Sequence, residues 1–187
     1  MTVLPPRATS ADALREAKRT FLKRRRVDMG LLAERLDISR VTLYRWVGSR
    51  ERLLVEVTWS LAEFNLAELD GPPRRHHGAE RVVRLAVGFL EVVIGNPGMA
   101  YWLANEGELA MRLLTRHDRA FQPRLIRWFR RVLEEETAAG LLNLPADLDE
   151  VAFIIVRIIE SYAYLNLITG REPEAAHAEA VLRLLLR

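Results

Sequence analysis

The sequence predicts an all-helical protein of about nine or ten helices, and three observations support that fold class. Half of the 187 residues are apolar, which is enough for a sizeable core. Apolar residues recur at helical spacing along extended segments, and no stretch shows the alternation of a half-buried strand. Glycine and proline are sparse inside those segments and stand mainly between them.

The chain begins with an arm, residues 1–8, that we expect to be disordered because Pro5-Pro6 is incompatible with a helix. The first helix is predicted from a cap at Thr9 or Ser10 to about Arg25. The basic run Lys23–Arg26 closes this helix, where cations offset the macrodipole. The same run could also lie along a DNA backbone, and the two roles are compatible.

The stretch from Leu31 to Leu54, LLAERLDISRVTLYRWVGSRERLL, fits two short helices joined by a tight turn. Asp37 tolerates the left-handed backbone that ends a helix, and Ser39 is a good N-cap for the next one. That second helix is predicted from about Arg40 to Val47, followed by Gly48. The spacing is that of a helix-turn-helix. An ordinary helical hairpin with a solvated basic face explains the spacing equally well.

The second helix of this stretch carries side chains that suit a DNA duplex. Arginine can bond guanine edges bidentately, and a threonine methyl can meet a thymine methyl. Tyrosine, serine and arginine at the flanks suit phosphate oxygens, which fix register without reading sequence. The candidate DNA-binding residues are Ser39, Arg40, Val41, Thr42, Tyr44, Arg45, Trp46, Ser49 and Arg50.

This stretch resembles the DNA-binding domain of TetR-type transcriptional regulators, and the resemblance covers about Thr9 to Leu61. Its specific part is Thr-Leu-Tyr at 42–44, then Gly-Ser-Arg-Glu at 48–51 and Leu-Leu at 53–54. The segment LYRWVGSRERLL also resembles the QsdR-like subgroup of that family. The resemblance implies an N-terminal three-helix DNA-binding domain, residues 9–54 (the head), and a helical effector-binding and dimerisation domain, residues 55–187 (the body).

Four residues depart from the usual pattern of the family. Asp37 stands where glycine is usual, and Val41 where glycine or another small residue is usual. Val47 replaces phenylalanine, and Arg50 replaces lysine. None of these changes removes a donor that DNA binding needs, although Val41 is expected to alter which bases are read. The resemblance places Ser49 and Arg50 against phosphate.

A long helix from Arg50 to about Leu69 connects the head with the body, so we expect it to transmit any signal between them. A loop over residues 71–78 follows it. Further helices are predicted at about 79–94, 97–104, 106–116, 118–139, 148–169 and 173–186, with Asp118 and Asp147 as N-caps. Asp28 is likewise expected to cap the first helix of the helix-turn-helix, and Ser49 the long helix from Arg50. Loop residues His76 and His77 lack acidic partners at metal-ligand spacing, so we expect a solvated loop and no metal.

The segment VAFIIVRIIESYAYLNLIT, residues 151–169, is apolar all round, as expected for a helix buried on most sides. The helix at 118–139 is its natural packing partner. The resemblance implies that helices 118–139 and 148–169 pair with their copies in a four-helix homodimer interface. A twofold dimer would present two heads about 34–36 Å apart to successive major grooves of a palindromic operator.

Polar residues within the apolar segments of the body are candidates for a small-molecule site. The candidate ligand-binding residues are Tyr101, Trp102, Asn105, Arg157, Glu160 and Tyr164. In the alternative interpretation Arg157 and Glu160 form a buried or interfacial ion pair and the aromatic rings belong to the core. The resemblance to the QsdR-like subgroup favours a lactone-like or acyl signal as the effector.

Composition excludes several function classes. The chain has no cysteine, so disulfides, thiolate catalysis and cysteine metal sites are ruled out. The four histidines are scattered without a catalytic motif, so we expect neither an enzyme nor a cofactor. No apolar run reaches the ~18 residues of a membrane span. Without a signal core either, we expect a cytoplasmic protein that does not contact membranes.

Charge is unevenly distributed along the chain. Residues 1–60 contain 13 Lys/Arg and 7 Asp/Glu, a balance of +6, whereas residues 61–187 contain 15 and 18, a balance of −3. The basic part coincides with the helix-turn-helix, which suits a DNA-facing head. The sequence therefore predicts a DNA-binding transcriptional regulator, a homodimeric repressor released from a palindromic operator by a small molecule. The alternative is a dimeric DNA-binding protein without an effector.

Overall fold

The structure, a computed structural model, describes residues 8–72, 76–116, 118 and 120–187. Over these residues it consists of helices and contains no strand, which confirms the predicted all-helical class. The helices are α1 (Ser10–Leu22), α2 (Met29–Arg35), α3 (Arg40–Val47), α4 (Arg50–Leu69), α5 (Gly78–Gly95), α6 (Pro97–Thr115), α7 (Phe121–Ala138), α8 (Leu148–Ala163), α9 (Leu165–Thr169) and α10 (Ala175–Leu185). Residues 1–7 of the predicted arm lie outside the described residues, as do residues 73–75 of the predicted loop.

The head helices begin at the caps that the sequence predicts. The Thr9 hydroxyl accepts from the Asp12 amide, and the Asp12 carboxylate accepts from the Thr9 amide, which completes a capping box. Asp28 caps α2 through two backbone amides at 2.8 and 2.9 Å. Ser39 caps α3 by accepting from the Thr42 amide at 3.0 Å. Local hydrogen bonds therefore fix where α1, α2 and α3 start.

The turn between α2 and α3 has the backbone that its sequence indicates. Asp37 has φ 52°, the left-handed conformation that aspartate tolerates better than most residues. Ile38 packs against the core, and Leu43 of α3 is completely buried. Gly48, at φ 77°, ends α3. These contacts fix the orientation of α3 on α1 and α2.

One continuous apolar core runs from α1 to α10. Helix α4 packs on α1 in the head and on α5 and α7 in the body, and α7 lies along α8. Helix α5 contacts α8 and α10. Helix α4 takes part in both halves of the core. A displacement of its C-terminal half would therefore also move its N-terminus, which lies beside α3.

The break predicted between the helices at 97–104 and 106–116 lies at a kink of α6, at Glu106, whose backbone is non-helical at φ −140°, ψ 41°. Two other helix boundaries in the body differ from the prediction. Helix α7 begins at Phe121 after Ala120, whereas the predicted cap Asp118 forms an ion pair with Arg116. The helix predicted at 148–169 is interrupted at Tyr164, whose side chain is buried while the following turn is exposed.

A buried arginine joins α5 to the end of α4 and to α7. Arg81 is 3% exposed and donates to Asp70, Glu135 and Glu136 at 2.6–2.9 Å. Glu136 also accepts from the Gly78 amide. Burial raises the pKa of Glu136, but the hydrogen bonds from Arg81 and Gly78 outweigh it and lower that pKa below its usual value. The network satisfies each charge that it buries.

Among the described residues, no helix taken singly has both the length and the apolar character needed to cross a bilayer. The bent pair α5 and α6, at 68° to each other, meets that criterion only when the two are combined.

Candidate DNA-binding surface and effector cavity

Helix α3 presents one exposed face and buries the other. Val41 is 79% exposed, Tyr44 is 45% exposed and Arg45 is exposed, whereas Leu43 is fully buried against the head core. Of the remaining predicted residues, Ser39, Arg40 and Ser49 are exposed, while Thr42, Trp46 and Arg50 are partly buried. Six of the nine predicted DNA-binding residues are therefore exposed, on α3 or at the residues that cap α3 and α4.

Hydroxyl groups at this surface also serve the helix starts. The Ser39 and Thr42 hydroxyls are 2.9 Å apart and share a hydrogen bond. The Ser49 hydroxyl accepts from the Arg52 amide at 3.1 Å and caps α4. These groups fix the ends of α3 and α4, and each oxygen retains capacity for a further hydrogen bond.

Arg40 is exposed but lies back over α2. A Cβ atom built at Gly30 would be 2.4 Å from Arg40 Nη2, so the absence of a side chain at Gly30 makes room for the guanidinium. The hydrogen bond from the Leu31 amide lowers the pKa of Asp28, and the charges of Arg26 and Arg40 lower it further against the effect of burial. Arg40 is therefore attracted to the start of α2. Of the two arginines on α3, Arg45 is the one whose guanidinium does not lie over α2.

Arg50, which is predicted to contact phosphate, has hydrogen-bond partners inside the protein. Its Nε donates to the Val27 carbonyl at 2.7 Å, and its two terminal nitrogens donate to the two carboxylate oxygens of Glu106, each at 2.7 Å. The side chain is only 19% exposed. Arg50 joins the start of α4 to the kink of α6, and the hydrogen bonds from Arg50 lower the pKa of Glu106.

A small cavity of about 50 Å³ lies in the body among α4, α5, α6, α7 and α8. Of the six predicted ligand-binding residues, Glu160 and Tyr164 line it. The other lining residues, which sequence reasoning missed, are mainly apolar: Thr58, Leu61, Ala62, Asn65, Phe89, Val92, Val93, Asn96, Met99, Leu114, Phe121, Leu125, Ile159 and Ala163. Periodicity marks them as buried, but only the packing of five helices shows which of them leave a space.

Three of the predicted ligand-binding residues lie on α6 away from the cavity lining. Trp102 packs edge-to-face on Phe21 of α1, with ring centroids 5.8 Å apart. Asn105 is exposed and donates to the Tyr101 carbonyl. For Trp102 the alternative interpretation as a core ring is the better one, because the turn of α6 that carries it faces the head.

Glu160 and Arg157 form the ion pair that the alternative interpretation of the polar residues expects. Arg157 Nη1 lies 2.5 Å from a Glu160 oxygen, and Gln122 donates to both oxygens at 2.9 and 3.2 Å. Burial nevertheless dominates and raises the pKa of Glu160. Burial also raises the pKa of Tyr164. Glu160 therefore lines the cavity and pairs with Arg157, while Arg157 itself does not line the cavity.

The described part of the chain contains no cluster of three His, Asp or Glu side chains that could hold a metal ion. His76 and His77 are exposed in the loop before α5. His117 lies outside the described residues.

The C-terminal part of the chain and its fold are similar to those of known proteins. Residues 77–187 match the model of the tetracyclin repressor-like, C-terminal domain family. The transcriptional repressor QsdR of R. erythropolis, from the TetR family, has a similar structure, with a TM-score of 0.84 and 24% identity over 95% of this chain and 93% of that one. A Rhodococcus sp. protein assigned to the TetR family of regulators gives a TM-score of 0.58 at 18% identity, over 96% and 100% of the two chains. No curated protein sequence matches the chain.

Proposed function

We propose that this chain, which belongs to the TetR family of transcriptional regulators, is a homodimeric repressor of a palindromic operator. In this proposal the exposed face of α3 enters the major groove, and a small molecule bound in the body releases the dimer from DNA. The observation that supports it most directly is the exposure of Val41, Tyr44 and Arg45 on a helix whose opposite side is locked by the buried Leu43.

The charge of the head supports the choice of DNA as partner. The exposed run Lys23–Arg26 follows α1, and residues 1–60 as a whole have a balance of +6. Such a surface attracts a phosphate backbone irrespective of sequence. Donors and methyl groups on α3 then supply discrimination between base pairs.

An exposed apolar surface on the body supports dimerisation. Phe153 of α8 is 39% exposed, and Val181 and Leu184 of the adjacent α10 are 41% and 63% exposed. We call the exposed side chains of Phe153, Val181 and Leu184 the apolar patch. A second copy related by a twofold axis would cover it, with α7 and α8 pairing as the family resemblance implies and α10 contributing.

The cavity is the proposed effector site, and it must widen to accept one. A volume of about 50 Å³ has room for a few water molecules. A ligand site of roughly 300 Å³ or more is usual for a small molecule. The apolar lining suits the acyl chain of a lactone-like or acyl signal, which remains a prediction. A ligand that forces the walls apart would shift α4 and α6, and both helices contact the head.

Linkage gives this mechanism a thermodynamic form. If the ligand binds the conformation whose heads are wrongly spaced for DNA, ligand and operator must weaken each other's binding by the same factor.

The small volume of the cavity favours the alternative of a dimeric DNA-binding protein without an effector. Binding of the purified dimer to its operator in the presence and absence of a metabolite extract separates the two.

The test begins with selection of bound fragments from genomic DNA and footprinting of the recovered sites. We expect a palindrome with half-site centres one helical turn apart. Arg45→Ala should weaken binding to that operator by ~1–3 kcal/mol and leave a scrambled duplex little affected, if Arg45 contacts a base edge. Arg40→Ala should have the smaller effect on discrimination because Arg40 lies over α2.

The matched control is Arg84→Ala, which removes an exposed arginine from α5 of the body. Equal losses on operator and scrambled duplex for Arg45→Ala would contradict base reading by this residue. A wild-type protein without preference among duplexes would contradict the proposed function altogether.

A further inference from the structure

The contact between Arg50 and Glu106 joins a predicted DNA-binding residue to the body. Its geometry is a fork, with two parallel N–H···O hydrogen bonds of 2.7 Å. A third hydrogen bond fixes Nε to the Val27 carbonyl. Charge-assisted bidentate pairs are the strong members of their class, and both side chains here are 19% exposed, so screening by water is reduced.

Glu106, the partner of Arg50, lies at the kink of α6. Its backbone leaves the helical region at φ −140°, ψ 41°, at the level where α6 passes the start of α4. A second head residue, Arg26, lies 3.6 Å from the same carboxylate. One acidic group of the body therefore faces two cations of the head.

The fork depends on the departure of this chain from the usual family pattern. A lysine ammonium is a point charge and cannot make two parallel hydrogen bonds with a carboxylate while a third donor holds a carbonyl. With arginine at position 50, the cation that the resemblance assigns to phosphate is occupied inside the protein.

We propose that Glu106 is a positioning residue that competes with the DNA phosphates for Arg50. While the fork is closed, Glu106 neutralises one cation of each head and holds the start of α4 against the kink of α6. When it opens, each head gains one positive charge for the phosphate backbone. This inference rests on the proposed function, and it makes the strength of DNA binding depend on the position of α6.

The salt dependence of DNA binding measures this competition. Each neutralised phosphate contributes about −0.9 to the slope of log K against log salt concentration. Glu106→Gln removes the competing charge, so we expect a slope that is steeper by about 0.9 per head and about 1.8 per dimer. Affinity at low salt should rise by the same factor on operator and scrambled duplexes, because phosphate contacts carry no sequence information.

Three variants separate competition from other effects of the substitution. Glu108→Gln removes the same charge from an exposed position two residues along α6 and should leave the slope close to that of the wild type. Arg50→Lys keeps the cation but cannot make the fork, so it should steepen the slope as Glu106→Gln does. The double variant Arg50→Gln, Glu106→Gln restores the net charge and should return the slope to the wild-type value.

The inference is overturned if Glu106→Gln and Arg50→Lys both leave the slope unchanged, or if Glu108→Gln changes it as much as Glu106→Gln. Circular dichroism of each variant verifies that it is folded, and Arg50→Lys serves if Glu106→Gln is not. A wild-type protein that shows no operator preference would count against the proposed function. A wild-type protein with operator preference and unresponsive variants would count against this inference alone.

Discussion

At the scale of single residues, Val41 stands out because its apolar side chain lies outside the core and does not stabilise the fold by burial. It is 79% exposed on α3, more than any other large apolar residue of the described chain. The family pattern has glycine or another small residue here. In the proposed complex, in which α3 lies in the major groove, the two methyl groups of valine would contact the methyl group of a thymine.

We predict that Val41→Ala weakens binding to the selected operator by about 1.6 kcal/mol, roughly fifteenfold, since it removes two CH₂-sized groups that each contribute about 0.8 kcal/mol when buried. Replacing the contacted thymine by deoxyuridine removes the partner methyl and should cost a similar amount. The two changes should not add, because either one abolishes the same contact. Fluorescence anisotropy titration on the four combinations measures the coupling.

Phe64→Ala is the control for this cycle, because it truncates an apolar residue of α4 that is 60% exposed. It should not be coupled to any thymine of the operator. Additive losses at every thymine of the half-site would show that Val41 reads no methyl group.

At the scale of the helices, the sequence was most informative where a local interaction decides the structure. Thr9, Asp28, Ser39, Ser49 and Asp147 each cap the helix predicted for them, because a cap needs only its own neighbouring amides. Asp37 likewise takes the left-handed backbone that its position required.

The sequence was least informative where distant parts of the chain meet. The break in α6 at Glu106 was predicted, but the ion pair of Glu106 with Arg50, 56 residues away, was not. The last long helix was predicted without the interruption at the buried Tyr164, and the packing of five helices places the cavity. Helical periodicity identifies Trp102 as buried but does not tell a core ring from a ligand contact. Such features depend on tertiary packing, which a single sequence does not specify.

Two buried glutamates provide a pH test of helix packing with opposite expected signs. The pKa of Glu136 is lowered, so its contribution to stability is present above the usual value of 4.5 and is lost as pH falls through the folded-state pKa. The pKa of Glu160 is raised, so its ionisation destabilises the fold as pH rises from 4.5 through the folded-state pKa.

We predict that the melting temperature of Glu136→Gln falls further below that of the wild type as pH rises from about 3 toward neutrality. For Glu160→Gln the difference should change in the opposite direction, with the variant gaining on the wild type as pH rises. Thermal unfolding followed by circular dichroism from pH 3 to 8 measures both trends, and each variant is the control for the other. Parallel trends in the two variants would show that these carboxyl groups do not determine the pH dependence.

At the scale of the whole molecule, the proposed function depends on a second copy. In the proposed dimer each head contacts one half-site, and the linkage of the two heads raises the apparent affinity because the second contact becomes intramolecular. The apolar patch on α8 and α10 is the surface that we propose the copy covers. A charge placed there would face an apolar partner surface on both sides of the twofold axis, so a single substitution acts twice.

We predict that Phe153→Glu and Leu184→Glu each convert the dimer to a monomer in sedimentation equilibrium. The monomer should keep its helical content, bind an isolated half-site as the wild-type head does, and bind the full palindrome about 10²–10⁴-fold more weakly than the dimer. Phe64→Glu introduces the same charge at an exposed aromatic residue of α4 and should remain dimeric. If the patch variants stayed dimeric, the interface would lie elsewhere on the body. If they became monomeric yet bound the palindrome with undiminished affinity, the two heads would act independently, and an effector could not release the protein by changing the distance between them.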